Sequence, residues 1–322
     1  MEKLNLKDKK ILYELDINSR QSFRGIGRKV GLSKDIVASR VKNLQDKGVI
    51  LKYYTVFDYL RLGLTLLRFY FKFQYITSEI REEIISHFVK CEYSTSVGSI
   101  EGNYDLVVMM LVKNDADIYP FWQKTLDKFG DYFANRIYSV YMGESIYTSL
   151  FLLDEKEDRT KYIQRRGIFK LGWEKVIHDD LDLKILKILA FNARMPTIEI
   201  AKELNLSALT INNRIKKLIE SEIITGFKVI INWSNFGYNF YKVDLFLRDH
   251  NKIHQIIKYI ERNPHLFTVD FTLGYADLEL EFILKNLNQL HEIIENLSCK
   301  FPKIIRNYTY FTFIKVHKFL IL

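Results

Sequence analysis

The sequence predicts an α+β fold built twice over: two copies of a winged helix-turn-helix unit, each followed by a ferredoxin-like β-α-β-β-α-β half. Three observations predict it. The chain repeats itself, each repeat opens with three short runs of apolar residues at helical spacing, and the rest of each repeat alternates strand and helix patterns in a fixed order. Shifted by 174 positions, Asp8 falls on Asp182, Ile11 on Ile185, Leu12 on Leu186, Leu15 on Leu189, Asn18 on Asn192, Arg20 on Arg194 and Leu32-Ser33 on Leu206-Ser207. Arg40 meets Arg214, Leu44 meets Leu218, Ile50 meets Ile224 and Gly63 meets Gly237, so the register holds without a gap for more than fifty residues. A repeat of that length is a duplicated domain, not a solenoid unit of ~20–50 residues.

In the first copy, Leu6, Ile11, Leu12 and Leu15 give a helix over 6–17, and the polar break 18–22 ends it. Phe23, Ile26 and Val30 mark a second helix over 23–30, and Gly31-Leu32 a tight turn. Ser33 stands where an N-cap belongs, its hydroxyl able to accept from an orphan N–H of the third helix. That helix runs to about Lys47 with Val37, Val41 and Leu44 inward, and Gly48 ends it. Residues 49–51 and 53–57 read as the strands of a small wing. In the second copy the helices fall at 181–191, 197–204 and 208–222, with Ser207 as the cap; Glu222 replaces Gly48, so the two helix ends are expected to differ. After each wing come strand 65–75, helix 78–90, strands 93–100 and 105–112, helix 118–129 and strand 133–141, matched by 241–248, 253–261, 267–273, 278–284, 287–297 and 304–313. Here the offset is 172, since Gly102-x-x-Asp105 matches Gly274-x-x-Asp277. The expected domains are 1–60, 61–153, 180–234 and 235–322, joined by a charged linker, 154–179, partly helical and packed through Phe169, Leu171 and Trp173.

Composition narrows the function. The 322-residue chain is 48% hydrophobic, enough for real cores, and carries a net charge of +9, which favours a polyanionic partner. The charge is uneven: residues 1–52 carry 13 Lys/Arg against 6 Asp/Glu, residues 178–228 carry 8 against 7. The first copy is therefore the stronger candidate for phosphate contact. Two cysteines, Cys91 and Cys299, build neither a metal cluster nor a disulfide framework. No segment has the ~18 uncharged apolar residues that span a bilayer, and the amino terminus has no apolar signal, so a reduced, cytoplasmic protein with no membrane partner is expected. Abundant Ile, Lys and Asn suit an AT-rich genome of a kind common among archaea. His250 and His254, four apart beside Asp249, lack a third ligand and read as a polar helix start, so no metal and no cofactor is expected. No Gly-rich phosphate loop, H-E-x-x-H or nucleophile elbow occurs.

The stretches Leu6–Leu12 (LKDKKIL), Val30–Ser33 (VGLS) and Arg40–Ile50 (RVKNLQDKGVI), repeated as LDLKIL from Leu181, LNLS from Leu204 and RIKKLIESEII from Arg214, resemble the Lrp/AsnC family of transcription regulators. The resemblance spans everything but the linker and the extreme carboxyl end; the departure is the tandem fusion, since family members usually carry one copy. It implies a regulator that binds double-stranded DNA through the second helix of each motif. With Val37, Val41 and Leu44 buried, Asp35, Ser39, Lys42 and Asn43 point outward, flanked by Lys34 and Arg40 and preceded by Ser33. Arg40 and Lys42 are expected on phosphate, and Ser39 or Asn43 on base or sugar. In copy two the outward set is Leu209, Asn213, Lys216 and Lys217, with Asn212 and Arg214 beside it and Ser207 before it. Asn suits adenine and Leu209 a thymine methyl. The two helices differ at most outward positions, so different half-sites are expected and a palindrome is not implied. The resemblance also implies an amino acid effector at the paired β-rich halves, where Gly102 and Gly274 allow close backbone approach and Asp105 and Asp277 would hold an ammonium group or cap the turn. Tethered halves are expected to pair within the chain as a pseudo-dimer, with homo-oligomers beyond. Two other readings stay open: a fused enzyme resembling the sirohaem decarboxylases, which share this fold, and a protein-interaction scaffold.

Overall fold

The computed structural model of the protein describes residues 4–153, 164–167, 175–320 and 322. Copy one opens with α1 (Leu6–Ile17), α2 (Phe23–Val30) and α3 (Lys34–Asp46), capped by Asn5, Ser22 and Ser33, whose side chains accept from the N–H of Asp8, Gly25 and Ile36. Strand β1 (Ile50–Phe57) follows, then β2 (Thr65–Phe73), α4 (Ser78–Lys90), β3 (Ser94–Gly102), β4 (Leu106–Val112), α5 (Tyr119–Phe129), β5 (Phe133–Ile146) and a short β6 (Gln164–Gly167). Copy two repeats the order as α6 (Asp180–Phe191), α7 (Thr197–Glu203), α8 (Ala208–Glu220), β7 (Ile224–Ile231), β8 (Asn239–Leu247), α9 (Ile253–Ile260), β9 (Leu266–Leu273), β10 (Leu278–Leu284), α10 (Leu287–Lys300) and β11 (Ile305–Phe319). The linker is described only at 164–167, which pairs with β5, and from 175 on; the expected packing of Phe169, Leu171 and Trp173 lies outside the described residues.

Two expectations need correction. The residues after α3 do not fold back as a wing within their own copy. They form one strand, and β1 pairs antiparallel with β7 of the other copy, with Tyr54 opposite Lys228. Those two residues are equivalents at the 174 offset, so a local two-fold passes through the pair. The physical reason is burial: Ile50, Tyr53 and Phe57 with Phe227, Val229 and Ile231 close one apolar cluster spanning both helical units, which a self-contained hairpin would leave open. The helix ends, expected to differ, instead match. Glu222 adopts the left-handed conformation (φ 59°) that Gly48 adopts (φ 65°), and its carboxylate meets Arg61 at 3.0 Å.

The helical units grip each other reciprocally. Arg20 donates to the carbonyls of Ala193 and Met195, and its equivalent Arg194 donates to those of Ser19 and Gln21. Arg194 also lies over the Phe23 ring at 4.5 Å. Between the units, Lys228 and Asp16 form a buried ion pair at 2.8 Å, and Asp16 accepts the Ser149 N–H.

The β-rich halves fuse into a single barrel. Its strands run β2-β4-β3-β11-β8-β10-β9-β5, and β5 returns to pair with β2, closing eight strands into a ring with β6 added outside. Within each half the order is that of a ferredoxin-like sheet. The two seams are equivalent: β3 meets β11 at Glu101 opposite Thr312, and β9 meets β5 at Leu273 opposite Val140. Alternation divides each strand between two environments. Leu67, Phe69, Phe71 and Phe73 pack outward under α4 and α5, and Tyr241, Val243, Leu245 and Leu247 pack under α9 and α10. The intervening positions, Arg68 and Tyr70 in one half and Lys242 and Asp244 in the other, face the lumen and are buried.

Candidate nucleic-acid interface

The recognition helices present the faces that the spacing predicts. On α3, Val37, Val41 and Leu44 are buried, while Lys34, Asp35, Ser39, Lys42 and Asn43 are exposed. On α8, Ile211, Ile215 and Leu218 are buried, and Leu209, Asn212, Asn213, Lys216 and Lys217 are exposed. Ser33 and Ser207 are N-caps, their hydroxyls accepting from Ile36 N–H at 3.3 Å and Thr210 N–H at 3.0 Å. Both remain exposed beside the first helical turn.

The two arginines are differently employed. Arg40 donates to Asp8 at 2.8 Å, and Arg214 to Asp179 at 2.6 Å and Asp182 at 3.2 Å. Asp8 lies in the first turn of α1, its N–H donating to the Asn5 cap; Asp179 and Asp182 form the capping box of α6. Each arginine thus ties its recognition helix to the first helix of its unit. The Asp179 carboxyl is held below its usual range, first by the Asp182 N–H and then by Arg214. Lys216 leans toward Glu220 at 3.6 Å on an open surface, an interaction of little weight.

The second helices of the units sharpen the contrast between copies. The exposed positions of α2 include Arg24, Arg28 and Lys29, and the equivalents on α7 are Ile198, Lys202 and Glu203. Lys29 is paired with Glu14 at 2.6 Å. Copy one surrounds its recognition helix with Arg24, Arg28, Lys34 and Lys42, whereas copy two mixes Lys202, Lys216 and Lys217 with Ile198, Leu206 and Leu209, 73%, 38% and 69% exposed, and with Glu199 and Glu203. The sequence reading missed Arg24 and Arg28; their place on the helix before the recognition helix was the available signal.

At the β-rich halves the G-x-x-D turns serve the barrel. Asp105 accepts the Phe73 N–H at 2.8 Å and meets Lys72 at 3.2 Å; Asp277 accepts the Leu247 N–H at 2.6 Å, with His250 at 3.5 Å. Each carboxylate fastens the turn to the first strand of its half. Gly102 (φ 146°) lies against the other half, where an added Cβ would stand 2.3 Å from the Tyr310 carbonyl oxygen. The close approach expected of this glycine is to β11. Gly274 (φ 105°) has more room, 3.3 Å from the Tyr138 carbonyl. His250 sits in a 3-10 turn ahead of α9, which carries His254.

Two helix-turn-helix heads fixed on one two-fold frame, one of them strongly basic, define a DNA-binding protein that carries both halves of a dimer in a single chain. Comparison with known proteins agrees. Residues 4–45 match the model of the AsnC-type helix-turn-helix domain, and residues 178–225 that of a winged helix-turn-helix DNA-binding domain. An uncharacterised HTH-type transcriptional regulator of Pyrococcus abyssi is 34% identical over 119 residues, 37% of this chain and 81% of its own length. The regulator Ptr1 of Methanocaldococcus jannaschii is 31% identical over 139 residues, 40% of this chain and 93% of its own. The regulatory protein AsnC of Haemophilus influenzae is 32% identical over 117 residues, 36% and 78% of the two chains. Over its whole length the fold is similar to the crystal structure of the siroheme decarboxylase NirDL: TM-score 0.66, 13% identity, 99% of this chain and 94% of that one. The chain belongs to the Lrp/AsnC family of transcription regulators. Among the described residues, no helix is long and apolar enough to cross a membrane.

Proposed function

We propose that the chain is a sequence-specific transcription regulator that reads a non-palindromic DNA site with two unlike heads, copy one supplying most of the phosphate contacts. The observation that carries this is the contrast between the heads: Arg24, Arg28, Lys34 and Lys42 are open to solvent around α3, whereas around α7 and α8 the exposed Lys202, Lys216 and Lys217 are offset by Glu199 and Glu203 and interrupted by Ile198 and Leu209. Ser39 and Asn43 are the base or sugar contacts in copy one, with Asp35 accepting from a cytosine amino group; Asn212 and Asn213 reach for adenine in copy two, with Lys216 and Lys217 beside them. Arg40 and Arg214 orient the helices through Asp8 and the Asp179–Asp182 box, and reach phosphate only by leaving those partners. The test is duplex binding across a salt series. Lys34→Ala/Lys42→Ala removes two phosphate contacts and flattens the log–log salt slope by about 2, whereas Lys216→Ala/Lys217→Ala changes it less. An unchanged slope in the first variant would refute the assignment.

An amino acid effector is supported more narrowly, by the partly exposed Asp105 and Asp277 carboxylates with Lys72 and His250 beside them. Calorimetric titration with the twenty amino acids tests it, and Asp277→Asn should abolish any heat seen. The family's curated regulators support a non-enzymatic role, and the decarboxylase likeness, at 13% identity, is one of fold. Tetrapyrrole absorbance in the purified protein, or decarboxylation of sirohaem, would overturn that part.

A further inference from the structure

The barrel lumen holds charge where a sandwich of two sheets would ordinarily be apolar. Arg68 pairs with Asp270 at 2.9 Å and with Glu279, and Lys242 pairs with Glu279 and lies 3.5 Å from Asp270, 4.0 Å from Asp244 and 3.9 Å from Glu281. Thr272 and Thr309 donate to Glu279 and Asp244. Five of these six titratable side chains are at least nine-tenths buried, and Glu281 is 12% exposed.

The distribution is lopsided. Arg68 and Lys242 are equivalents, one from each half, but all four acids come from the second half. At the places of Asp244, Asp270, Glu279 and Glu281 the first half has Tyr70, Gly98, Val107 and Met109. Gly98 is filled by the Phe313 ring, which a Cβ there would meet at 2.5 Å. The first half also brings Glu144, buried on β5 opposite Asp270, but the ion pairs of Arg68 run to Asp270 and Glu279.

We propose that this network is a pairing code: the lumen face of the first half accepts only a partner face that carries acids at the positions of Asp270 and Glu279, which is the second half of this chain. Two first halves would bury both Arg68 side chains against Gly98 and Val107 without the Asp270 and Glu279 carboxylates, Glu144 being the one lumen-side acid each would bring. Two second halves would enclose eight carboxyl groups, four of them at the Asp270 and Glu279 positions, around two lysines and no arginine. A buried charge stripped of its partner is strongly disfavoured, so both like pairings lose heavily to the mixed one. The code works with the tether, which raises the effective concentration of the right partner but cannot by itself reject a wrong one. It also excludes single-copy relatives whose face lacks those acids. The inference is independent of how the helical heads read DNA.

Disulfide reporters at the seams test it, in the full chain with Cys299→Ser and a protease site placed within 154–163. After cleavage, the two fragments are kept together through unfolding and refolding, then oxidised. Glu101→Cys/Thr312→Cys reports mixed pairing, because those positions are opposite each other. Glu101→Cys/Val140→Cys reports first-half self-pairing, and Leu273→Cys/Thr312→Cys second-half self-pairing. The mixed product should exceed either like product by at least ~100-fold, and Arg68→Asp should cut the mixed product at least ~10-fold. Arg68→Asp/Asp270→Arg, which exchanges the charges, should restore it, separating a pairing code from a merely damaged core. Like products at parity with the mixed one, or a charge exchange that restores nothing, would overturn the proposal.

Discussion

The lumen network makes the stability of this protein depend on pH in a direction opposite to that of an ordinary salt-bridged fold. Burial, outweighing the attraction of Lys242, pushes the Asp244 carboxyl from 3.8 up to about 7. Burial and the neighbouring Asp270 push Glu281 from 4.5 up to about 7. Both acids therefore hold a proton in the folded protein over a range where the unfolded chain has released it. Their contribution is fully present below about pH 4 and is lost as pH rises through about 7. For Asp244 alone the rise corresponds to ~4 kcal/mol at ~1.4 kcal/mol per pH unit. Lys242 lies within 4.0 Å of both carboxylates, so ionising one makes ionising the other harder and the two effects do not simply add; we take ~4 kcal/mol for the pair. The perturbation is Asp244→Asn/Glu281→Gln, which fixes both sites in a neutral, isosteric form. Urea unfolding from about pH 4 to about pH 8 should show wild type and variant close together at the acid end and the variant ahead by up to ~4 kcal/mol at the alkaline end. Parallel pH profiles for the two proteins would refute the reasoning, because the buried acids would then be ionised throughout.

Three further outcomes follow from geometry. Arg194→Ala removes donations to the Ser19 and Gln21 carbonyls and the stacking on Phe23; urea unfolding should register a loss of ~2–3 kcal/mol, and Arg20→Ala a similar one. Glu222→Gly relieves a left-handed non-glycine residue, worth ~1 kcal/mol or more, against ~0.5 kcal/mol for the partly exposed Arg61 pair, so the melting temperature should rise. Gly102→Ala drives a Cβ to 2.3 Å from a backbone oxygen while Gly274→Ala leaves 3.3 Å; unfolding should show a loss of ~2 kcal/mol or more for the first and a smaller one for the second.

The helical units were legible because their signals are local. Helical spacing, Ser33 and Ser207 as caps and the breaks at 18–22 and 192–196 are all written within a few residues of what they specify. The β-α-β-β-α-β order was legible for the same reason. What covers each face was not. Leu278, Glu279, Leu280, Glu281 and Phe282 alternate as a strand does, and alternation says that two faces differ but not that the charged one is enclosed. Only the pairing of the two halves at the β3–β11 and β5–β9 seams, contacts far apart in sequence, turns that face inward. A usable hint was present: Arg68 and Lys242 keep a cation at the same register of an apolar strand in both copies. The exchange of β1 and β7 was hidden because a strand carries no record of which chain segment it pairs with. Arg40 was assigned to phosphate, and Arg214 set beside the outward face, from their place on the helix; their distance to Asp8, Asp179 and Asp182 depends on how the first helix docks, which spacing along one helix does not encode.

The most direct test of the account is selection of binding sites from random-sequence duplex DNA by the full chain, with the Lys34→Ala/Lys42→Ala and Lys216→Ala/Lys217→Ala variants alongside. A non-palindromic site with two unlike halves, the half lost in the first variant contributing more affinity than the half lost in the second, is the predicted result. A symmetric palindrome, or no enrichment over random DNA at low salt, would contradict the claim that one chain reads DNA with two different heads.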